Sequence, residues 1–536
     1  MTSISPRPLA LATLALILSV GLTPLSFAAT PADTLVIARN TDDALTLDPA
    51  AAFEVSTGDL VSNLYQRLFR NDPGQPSGLA GEIAQDWSFS PDGQTLTVQI
   101  KRGLVFASGN PLQADDVVYS LRRAVKLQKS PSFMLAGLGW TPDNVDALVR
   151  SGPGGSVELR TPQRLAPDYV RSLLSTSVAA IVDRQLLAQH EKDGDFGNTW
   201  LTSHSAGSSA YVLANWKPRE AIVLQAAPHY AGTPAHLKRI VVRHVGDPAS
   251  QRLLLEKGDV DVASNLTADQ LPPLKANPKL RIVQQASGTV FYVGLGQNHP
   301  ALVKPEVQQA LRYLIDYDGI AGKLLQGQLS VNQGIIGQGL PAALPDQPFR
   351  FDPAKARALL AQAGYPPGSL SLDFDVPTLS PYNEIGQALV QSFAAGGVQL
   401  KLRSADIKQV LTLYRKRQTS LIVFSFVPDY ADPHASLDFF VSNPDNSDAS
   451  ATKSIAWRLH WQDPAYNQAI ADARQELDPG KRNQIYIDLQ KKLRAASPFV
   501  LAFQGRETTG LSAAVQGYAK PAVTENVSFA DLSKHP

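Results

Sequence analysis

Short apolar runs alternate with amphipathic stretches along almost the whole chain. Residues 35–38 and 289–295 are apolar on both faces, as expected for buried strands. Residues 58–70 and 305–315 place apolar side chains at helical intervals, and residues 169–187 are also predicted to be mostly helical. This alternation predicts an α/β fold with mixed sheets. Because no Pro- or Ser-rich linker divides the chain, we expect domains joined by several strand crossings.

Composition excludes several classes of protein. The chain has 536 residues, of which 44% are hydrophobic and 18% charged, so global disorder is excluded and two to four domains are expected. Lys and Arg number 49 and Asp and Glu 48, which leaves no basic excess for a nucleic-acid partner. The chain contains no cysteine, which excludes disulfides, thiolate metal sites and a lipid-modified cysteine.

The N-terminus has the three parts of a secretory signal peptide. Arg7 is the only charge before Asp33, residues 9–20 are an unbroken apolar run, and residues 26–28 have small residues at the first and third positions. A membrane anchor is the alternative, but a run of about 12 residues is shorter than the roughly 20 that a bilayer requires. We therefore expect cleavage after Ala28, with Ala29 as the alternative position, and a periplasmic protein without a lipid anchor.

Motifs of catalysis and metal binding are absent from the sequence. It contains no G-x-S-x-G, H-E-x-x-H, Walker A or EF-hand pattern. His229, His236 and His244 are spaced by 7 and 8 residues, which fits no single helix face. We expect no catalytic residue, no metal and no cofactor. An exported enzyme stays open as an alternative, because catalytic triads are assembled in space and not in sequence.

Six ordered segments resemble those of one known family. The most specific, residues 87–122, reads WSFSPDGQTLTVQIKRGLVFASGNPLQADDVVYSLR and follows the family signature except at Leu96 and Ser108. The others are residues 207–230, 253–262, 305–316, 351–364 and 428–433. On these motifs the chain resembles the family-5 extracellular solute-binding proteins of ABC importers.

The resemblance implies a two-lobe periplasmic binding protein fold, of type II and the large cluster C type, with a third domain inserted in the first lobe. Two crossing strands would serve as the hinge. The implied divisions are a signal peptide at 1–28, lobe I at 29–75, 200–295 and 504–536, an inserted domain at 76–199 and lobe II at 296–503.

A ligand site in the cleft is implied as well. In peptide-binding relatives an Asp at the position of Asp429 holds the ligand's α-ammonium. Asp429 also follows an apolar strand at residues 420–427, where a cleft-edge carboxylate is plausible without the family, although an exposed loop Asp is the alternative. A buried ligand charge needs such a partner because desolvation is costly when the charge is unpaired. The implied ligand-binding residues are Asp429, Tyr430, Phe426, Tyr382, Asn383 and Glu54.

Two departures from the family concern the ligand's carboxylate. The Arg positions that clamp it in relatives are Ser380 and Val423 here. Arg403, Arg415 or Arg417 are the possible replacements, although a surface helix face is the plainer interpretation of the last two. A cationic or neutral ligand, such as an amine, a modified peptide or an opine-like molecule, therefore stays open.

Nickel-binding relatives share the Asp432-Pro433-His434 sequence. Their metal-contacting His lies about a dozen residues later, and this chain has no His between His434 and His460.

The function expected from the resemblance is a periplasmic substrate-binding component of an ABC importer for dipeptides, oligopeptides or a related amine-bearing solute. We expect a monomer that meets the permease subunits, with a nickel or opine receptor, a chaperone or a sensor as alternatives.

Overall fold

The computed structural model describes residues 30–72, 74–75, 78–520 and 526–535. The expected signal peptide, at residues 1–28, lies outside these ranges. None of the helices within them has both the length and the apolar composition that crossing a bilayer would require.

Strands are distributed along the whole described chain. They are β1 (Thr34–Arg39), β2 (Phe69–Asn71), β3 (Leu79–Gly81), β4 (Ala84–Phe89), β5 (Thr95–Ile100), β6 (Val149–Ser151), β7 (Ser156–Arg160), β8 (Tyr211–Lys217), β9 (Ala221–Ala226), β10 (Arg239–His244), β11 (Val262–Ala263), β12 (Leu280–Leu295), β13 (Leu329–Val331), β14 (Leu370–Pro377), β15 (Val398–Ala405), β16 (Leu421–Phe426), β17 (Phe499–Ser512), β18 (Val515–Gln516) and β19 (Ser533–Lys534).

Helices alternate with these strands. They are α1 (Val55–Leu64), α2 (Ala114–Leu127), α3 (Phe133–Ala136), α4 (Val145–Leu148), α5 (Pro167–Leu173), α6 (Arg184–Ala188), α7 (Asn198–Leu201), α8 (Pro248–Lys257), α9 (Leu271–Lys275), α10 (Pro305–Tyr313), α11 (Pro353–Gln362), α12 (Tyr382–Ala395), α13 (Ile407–Arg415), α14 (Pro433–Val441), α15 (Ile455–Arg458), α16 (Pro464–Gln475) and α17 (Pro479–Ala495).

Asp-Pro pairs begin five of the helices. In each pair the Asp side chain accepts a backbone N–H of the first turn, and the Pro occupies a position whose N–H would have no partner within the helix. The pairs begin at Asp247, Asp352, Asp432, Asp463 and Asp478. The sequence therefore determines where these helices start.

One mixed sheet of eleven described strands runs through the molecule. Its order is β15-β14-β16-β12-β17-β11-β1-β10-β9-β8, with β13 added on β17. We call the part around β1 and β8 to β11 lobe I, and the part around β14 to β16 lobe II. Because β1 lies parallel to β10 and β11, and β14 parallel to β15 and β16, each lobe has its own parallel strands.

Two long antiparallel strands, β12 and β17, connect the lobes. Residues 280–286 of β12 pair with 506–512 of β17 on the lobe I side, and residues 290–295 pair with β16 and β17 in lobe II. The register shifts between Ala286 and Val290, where a bulge interrupts the ladder. These strands are the crossing connection that the sequence implied.

A separate four-stranded sheet, in the order β4-β5-β7-β6, packs with α2 to α5. We call this unit the inserted region. The β4–β5 hairpin forms at the Ser90-Pro91-Asp92-Gly93 turn, where Gly93 has a φ of +70°. The core of the inserted region also includes Ala50, Leu68 and Phe69, whereas Ala180, Val182 and Leu187 pack in the core of lobe I. The domain boundaries expected from the sequence stay a prediction.

The helix predicted over residues 58–70 is shorter than expected. It spans Val55–Leu64, and Phe69 belongs to β2 instead. The Phe69 ring packs edge-on against Trp87 of β4, with 5.2 Å between ring centroids. Tertiary packing of this aromatic pair outweighs the local helical spacing, because helix propensity is a weak preference.

Candidate functional site

A cavity of about 400 Å³ lies where lobe I, lobe II, the inserted region and the crossing strands meet. It is lined from lobe I by the N-terminus of α1, from the inserted region by Pro131, Met134 and residues 175–178, from the bulge by residues 287–289 and from lobe II by residues 427–431. Its charged lining residues are Glu54, Arg67, Asp429, Glu507 and Lys520.

The bulge of β12 forms one wall of the cavity. Buried Gln504 of β17 fixes it, since its Nε2 donates to the carbonyl of Ser287 at 2.8 Å. The Gln504 Oε1 accepts the backbone N–H of Gln338 at 2.7 Å, and Ser287 Oγ donates to the carbonyl of Gly505 at 3.1 Å. The connection between the lobes therefore contains an ordered polar network directly beside the cavity.

Asp429 follows the end of β16. Pro428 has no backbone N–H, so the strand cannot continue through it. The Asp429 side chain lines the cavity and is accessible to solvent there. Partial desolvation by the surrounding protein raises the pKa of Asp429 to about 6. Within the described residues its carboxylate has no ion-pair partner.

The loop that carries Asp429 is fixed by the hydrogen bonds and the ion pair of Asp432. Asp432 caps α14 by accepting the backbone N–H of His434 at 2.8 Å. It also receives both arms of the Arg482 guanidinium, at 2.8 and 2.6 Å, and both side chains are only 3% exposed. The guanidinium lowers the pKa of Asp432 against the opposing effect of burial, which keeps the carboxylate ionised.

Glu54 reaches the same cavity from lobe I. It precedes the first turn of α1, and its carboxylate accepts the backbone N–H of Phe53 at 3.1 Å. Among the described residues no cation pairs with it. Two carboxylates without a cationic partner, Glu54 and Asp429, therefore line one cavity from the two lobes.

The basic groups at this cavity are already engaged. Arg67 contacts Glu82 at 3.1 Å and donates to the carbonyl of Ser175 at 2.9 Å. Lys520 contacts Glu507 at 2.6 Å. The site is thus chemically suited to a ligand with a positive end.

Three of the six implied ligand-binding residues line the cavity: Glu54, Asp429 and Tyr430. The structure places the other three elsewhere. Phe426 is buried in the core of lobe II, where its ring stacks on Phe439 at 5.0 Å. The hydroxyl of Tyr382 lies 2.6 Å from Ser425 Oγ, and Asn383 accepts a hydrogen bond from Gln387 at 3.3 Å.

The candidate replacements for the missing carboxylate clamp do not line the cavity either. Arg403 forms a bidentate pair with Asp375, at 2.9 and 2.7 Å. Arg417 binds Asp448 at 2.8 Å. Arg415 ends α13, and Val423 is buried in β16.

The His shared with nickel-binding relatives lies in a closed environment. His434 is 3% exposed, and its Nδ1 lies 3.2 Å from the Tyr486 hydroxyl. Burial lowers the pKa of His434 to about 4. In the part of the chain that the structure describes, no three His, Cys, Asp or Glu side chains are grouped as metal ligands.

Sequence reasoning missed several lining segments. Residues 175–178 were expected to continue a helix, but α5 ends at Leu173 and the following chain reaches the cavity. The bulge residues 287–289 were also missed, because the predicted strand started at Thr289 and its continuation back to Leu280 was not foreseen. Phe53, Met134 and Asn526 also line the cavity, and no motif singled them out.

Two lobes that share a sheet, are joined by crossing strands and enclose a cavity define a binding protein of the two-lobe class. The family model described as bacterial extracellular solute-binding proteins, family 5, middle region, matches residues 78–448. This protein belongs to that family, as the sequence motifs indicated.

Relatives extend over the whole chain. The probable D,D-dipeptide-binding periplasmic protein of Escherichia coli is 26% identical over 98% of this chain and 98% of its own length. The glutathione-binding protein of Pectobacterium atrosepticum is 24% identical over 91% and 92%, respectively. The solved structure of HbpA2 from Haemophilus parasuis superposes with a TM-score of 0.78 at 20% identity, over 94% of this chain and 100% of that one. The α/β two-lobe type II fold is confirmed.

Proposed function

We propose that this protein is the periplasmic substrate-binding component of an ABC importer. It captures a small peptide or a related amine-bearing solute and delivers it to permease subunits in the inner membrane. The observation that carries the proposal is the Asp429 carboxylate, which faces the interlobe cavity without a cationic partner among the described residues. The peptide-related names of the two sequence relatives support the same solute class.

The bound solute would be held between the lobes. Its ammonium group replaces the missing partner of Asp429 in a charge-assisted hydrogen bond, while Tyr430 and Glu54 contact the rest of the molecule. Because the ligand contacts both lobes, it favours the closed arrangement and shifts the open–closed equilibrium toward it. The permease then recognises the closed form.

This proposal includes the expectations that rest on sequence alone. The protein is exported by a signal peptide cleaved after Ala28, acts as a monomer and catalyses no reaction. The domain boundaries at residues 75/76, 199/200, 295/296 and 503/504 belong to the proposal too.

A solute screen tests the proposal. The mature protein is analysed by native mass spectrometry for a co-purified solute and by thermal unfolding with dipeptides, tripeptides and simple amines. A solute that binds the folded protein and is present at a free concentration of 100 times its Kd stabilises the folded state by about 2.7 kcal/mol, which is visible as a higher Tm. Hydrolysis of the peptides, or no shift with any amine-bearing solute, would contradict the proposal.

A further inference from the structure

A second cavity of about 470 Å³ adjoins the first on the lobe I side. The two cavities share Glu507, Lys520 and Asn526 as lining residues, so they lie side by side, and we call the two together the recess. Among its described lining residues, three side chains are cationic and six are carboxylates. The recess is therefore negatively charged before any solute enters.

Each of the three cations already has a carboxylate partner. Arg39 contacts Asp59 at 2.5 Å, and these side chains are 14% and 12% exposed. Arg67 contacts Glu82 at 3.1 Å, and Lys520 contacts Glu507 at 2.6 Å. A solute carboxylate would have to compete with a protein carboxylate for any of these groups.

Three carboxylates of the recess have no cationic partner among the described residues: Asp43, Glu54 and Asp429. Asp43 accepts the backbone N–H of Ser56 at 3.4 Å. Ser56 also lines the recess, and its buried hydroxyl has no hydrogen-bond partner among the described residues. The three carboxylates are therefore the charges that the described residues leave open to a solute.

We infer that the recess selects a solute with two cationic groups, one at Asp429 and a second at the Glu54 and Asp43 side, and that it needs no free carboxylate on the solute. The inference rests on the proposed function. Its physical basis is that an unpaired charge is costly to desolvate, so the charges left open on the protein must be matched by the solute. A peptide with a basic side chain and a blocked C-terminus meets this requirement.

Calorimetry with three related probes tests the inference on the mature protein. Lysyl-alaninamide carries two cationic groups, norleucyl-alaninamide has the same carbon chain without the side-chain ammonium, and lysyl-alanine has a free carboxylate in place of the C-terminal amide. We expect lysyl-alaninamide to bind at least tenfold more tightly than norleucyl-alaninamide, and more tightly than lysyl-alanine. Equal affinity for the first two probes, or tighter binding of lysyl-alanine, would overturn the inference while leaving the proposed function intact.

Two variants locate the second cationic group. Glu54→Gln should reduce the affinity for lysyl-alaninamide at least fivefold more than that for norleucyl-alaninamide. Asp143→Asn removes one negative charge from an exposed site outside the recess and should reduce both equally or not at all. If Glu54→Gln affects both probes alike, the second group is not at Glu54 and the inference fails. If none of the three probes binds the unaltered protein, the inference fails, and the wider solute screen decides the proposed function separately.

Discussion

The ring of Tyr169, in the inserted region, lies edge-on to the ring of Tyr430, in lobe II, with 6.0 Å between their centroids. Tyr169 also contacts His434, at 5.0 Å. Beside it, the N–H of Ala166 donates to the carbonyl of Arg474 at 2.9 Å. The inserted region therefore touches lobe II next to the loop that carries Asp429, which gives the molecule a second connection besides β12 and β17.

Loss of this ring contact should weaken solute binding. An edge-to-face aromatic pair contributes about 0.5–1.5 kcal/mol, so Tyr169→Leu should reduce affinity roughly two- to tenfold. The reduction should appear mainly as faster dissociation, measured by stopped-flow fluorescence. Tyr169→Phe keeps the ring and should bind nearly as the unaltered protein does.

Leu173→Ala is the control for a general loss of stability in the inserted region. Leu173 is buried in the same core and does not line the cavity. It should lower the Tm without increasing the dissociation rate. Equal effects of Leu173→Ala and Tyr169→Leu on dissociation would show that the ring contact has no role of its own.

The pH dependence of binding should follow Asp429. With its pKa at about 6, the ionised fraction of this carboxylate falls about tenfold between pH 7 and pH 5. Affinity for an ammonium-bearing solute should therefore fall by up to that factor, measured by calorimetry. Asp429→Asn should remove this dependence, and an unchanged pH profile in that variant would contradict the assignment.

The free energy of unfolding of the solute-free protein should decrease as the pH rises, whereas the affinity for the solute should increase. The pKa of Asp429 is higher in the folded protein than the value of about 3.9 in an unfolded chain, so the folded state binds more protons between the two values. Its contribution to the free energy of unfolding is fully present below pH 4 and is lost as the pH rises through 6. Comparing denaturant unfolding of the protein and Asp429→Asn at pH 4.5 and 7 isolates this contribution.

The buried ion pair of Asp432 and Arg482 should stabilise the folded protein, including the loop that carries Asp429. Asp432→Ala leaves the Arg482 charge buried and unpaired, which should lower the free energy of unfolding by about 3–5 kcal/mol. Adding Arg482→Met should recover part of this loss, because the uncompensated charge is then gone. Urea denaturation of the three variants measures both steps, and a double variant less stable than Asp432→Ala would contradict this explanation.

Gln504 should set the rigidity of the crossing strands. Gln504→Met fills a similar volume but leaves the buried carbonyl of Ser287 without its donor, at a cost of about 1–3 kcal/mol. Amide hydrogen exchange should increase around the bulge of β12 and not in the inserted region. Unchanged exchange at residues 284–292 would show that the network does not stabilise the bulge.

Much of the fold could be predicted from local patterns. The Asp-Gly turn between β4 and β5 and the apolar run of β16 have strong signals, because turn chemistry and alternation act within a few residues. The end of α1 at Leu64 could not be predicted, since it depends on a ring contact between Phe69 and Trp87.

The site was harder to predict than the fold. Asp429 has a local signal, a carboxylate after an apolar strand and a proline, and it does line the cavity. Phe426 lies only three residues earlier, but its large ring packs into the core of lobe II and away from the cavity. The bulge at residues 287–289 is held by Gln504, more than 200 residues later in the chain, although Gly288 within the strand is a local signal that the sequence analysis did not use.

Calorimetry of Asp429→Asn with lysyl-alaninamide tests the central claim most directly, with Asp143→Asn, at an exposed residue outside the cavity, as the control. Loss of one charge-assisted hydrogen bond should weaken binding by about 1.5–3 kcal/mol in Asp429→Asn, with little change in Tm and no change in the control. Unaltered affinity in Asp429→Asn would contradict the claim that this carboxylate anchors the positive end of the solute.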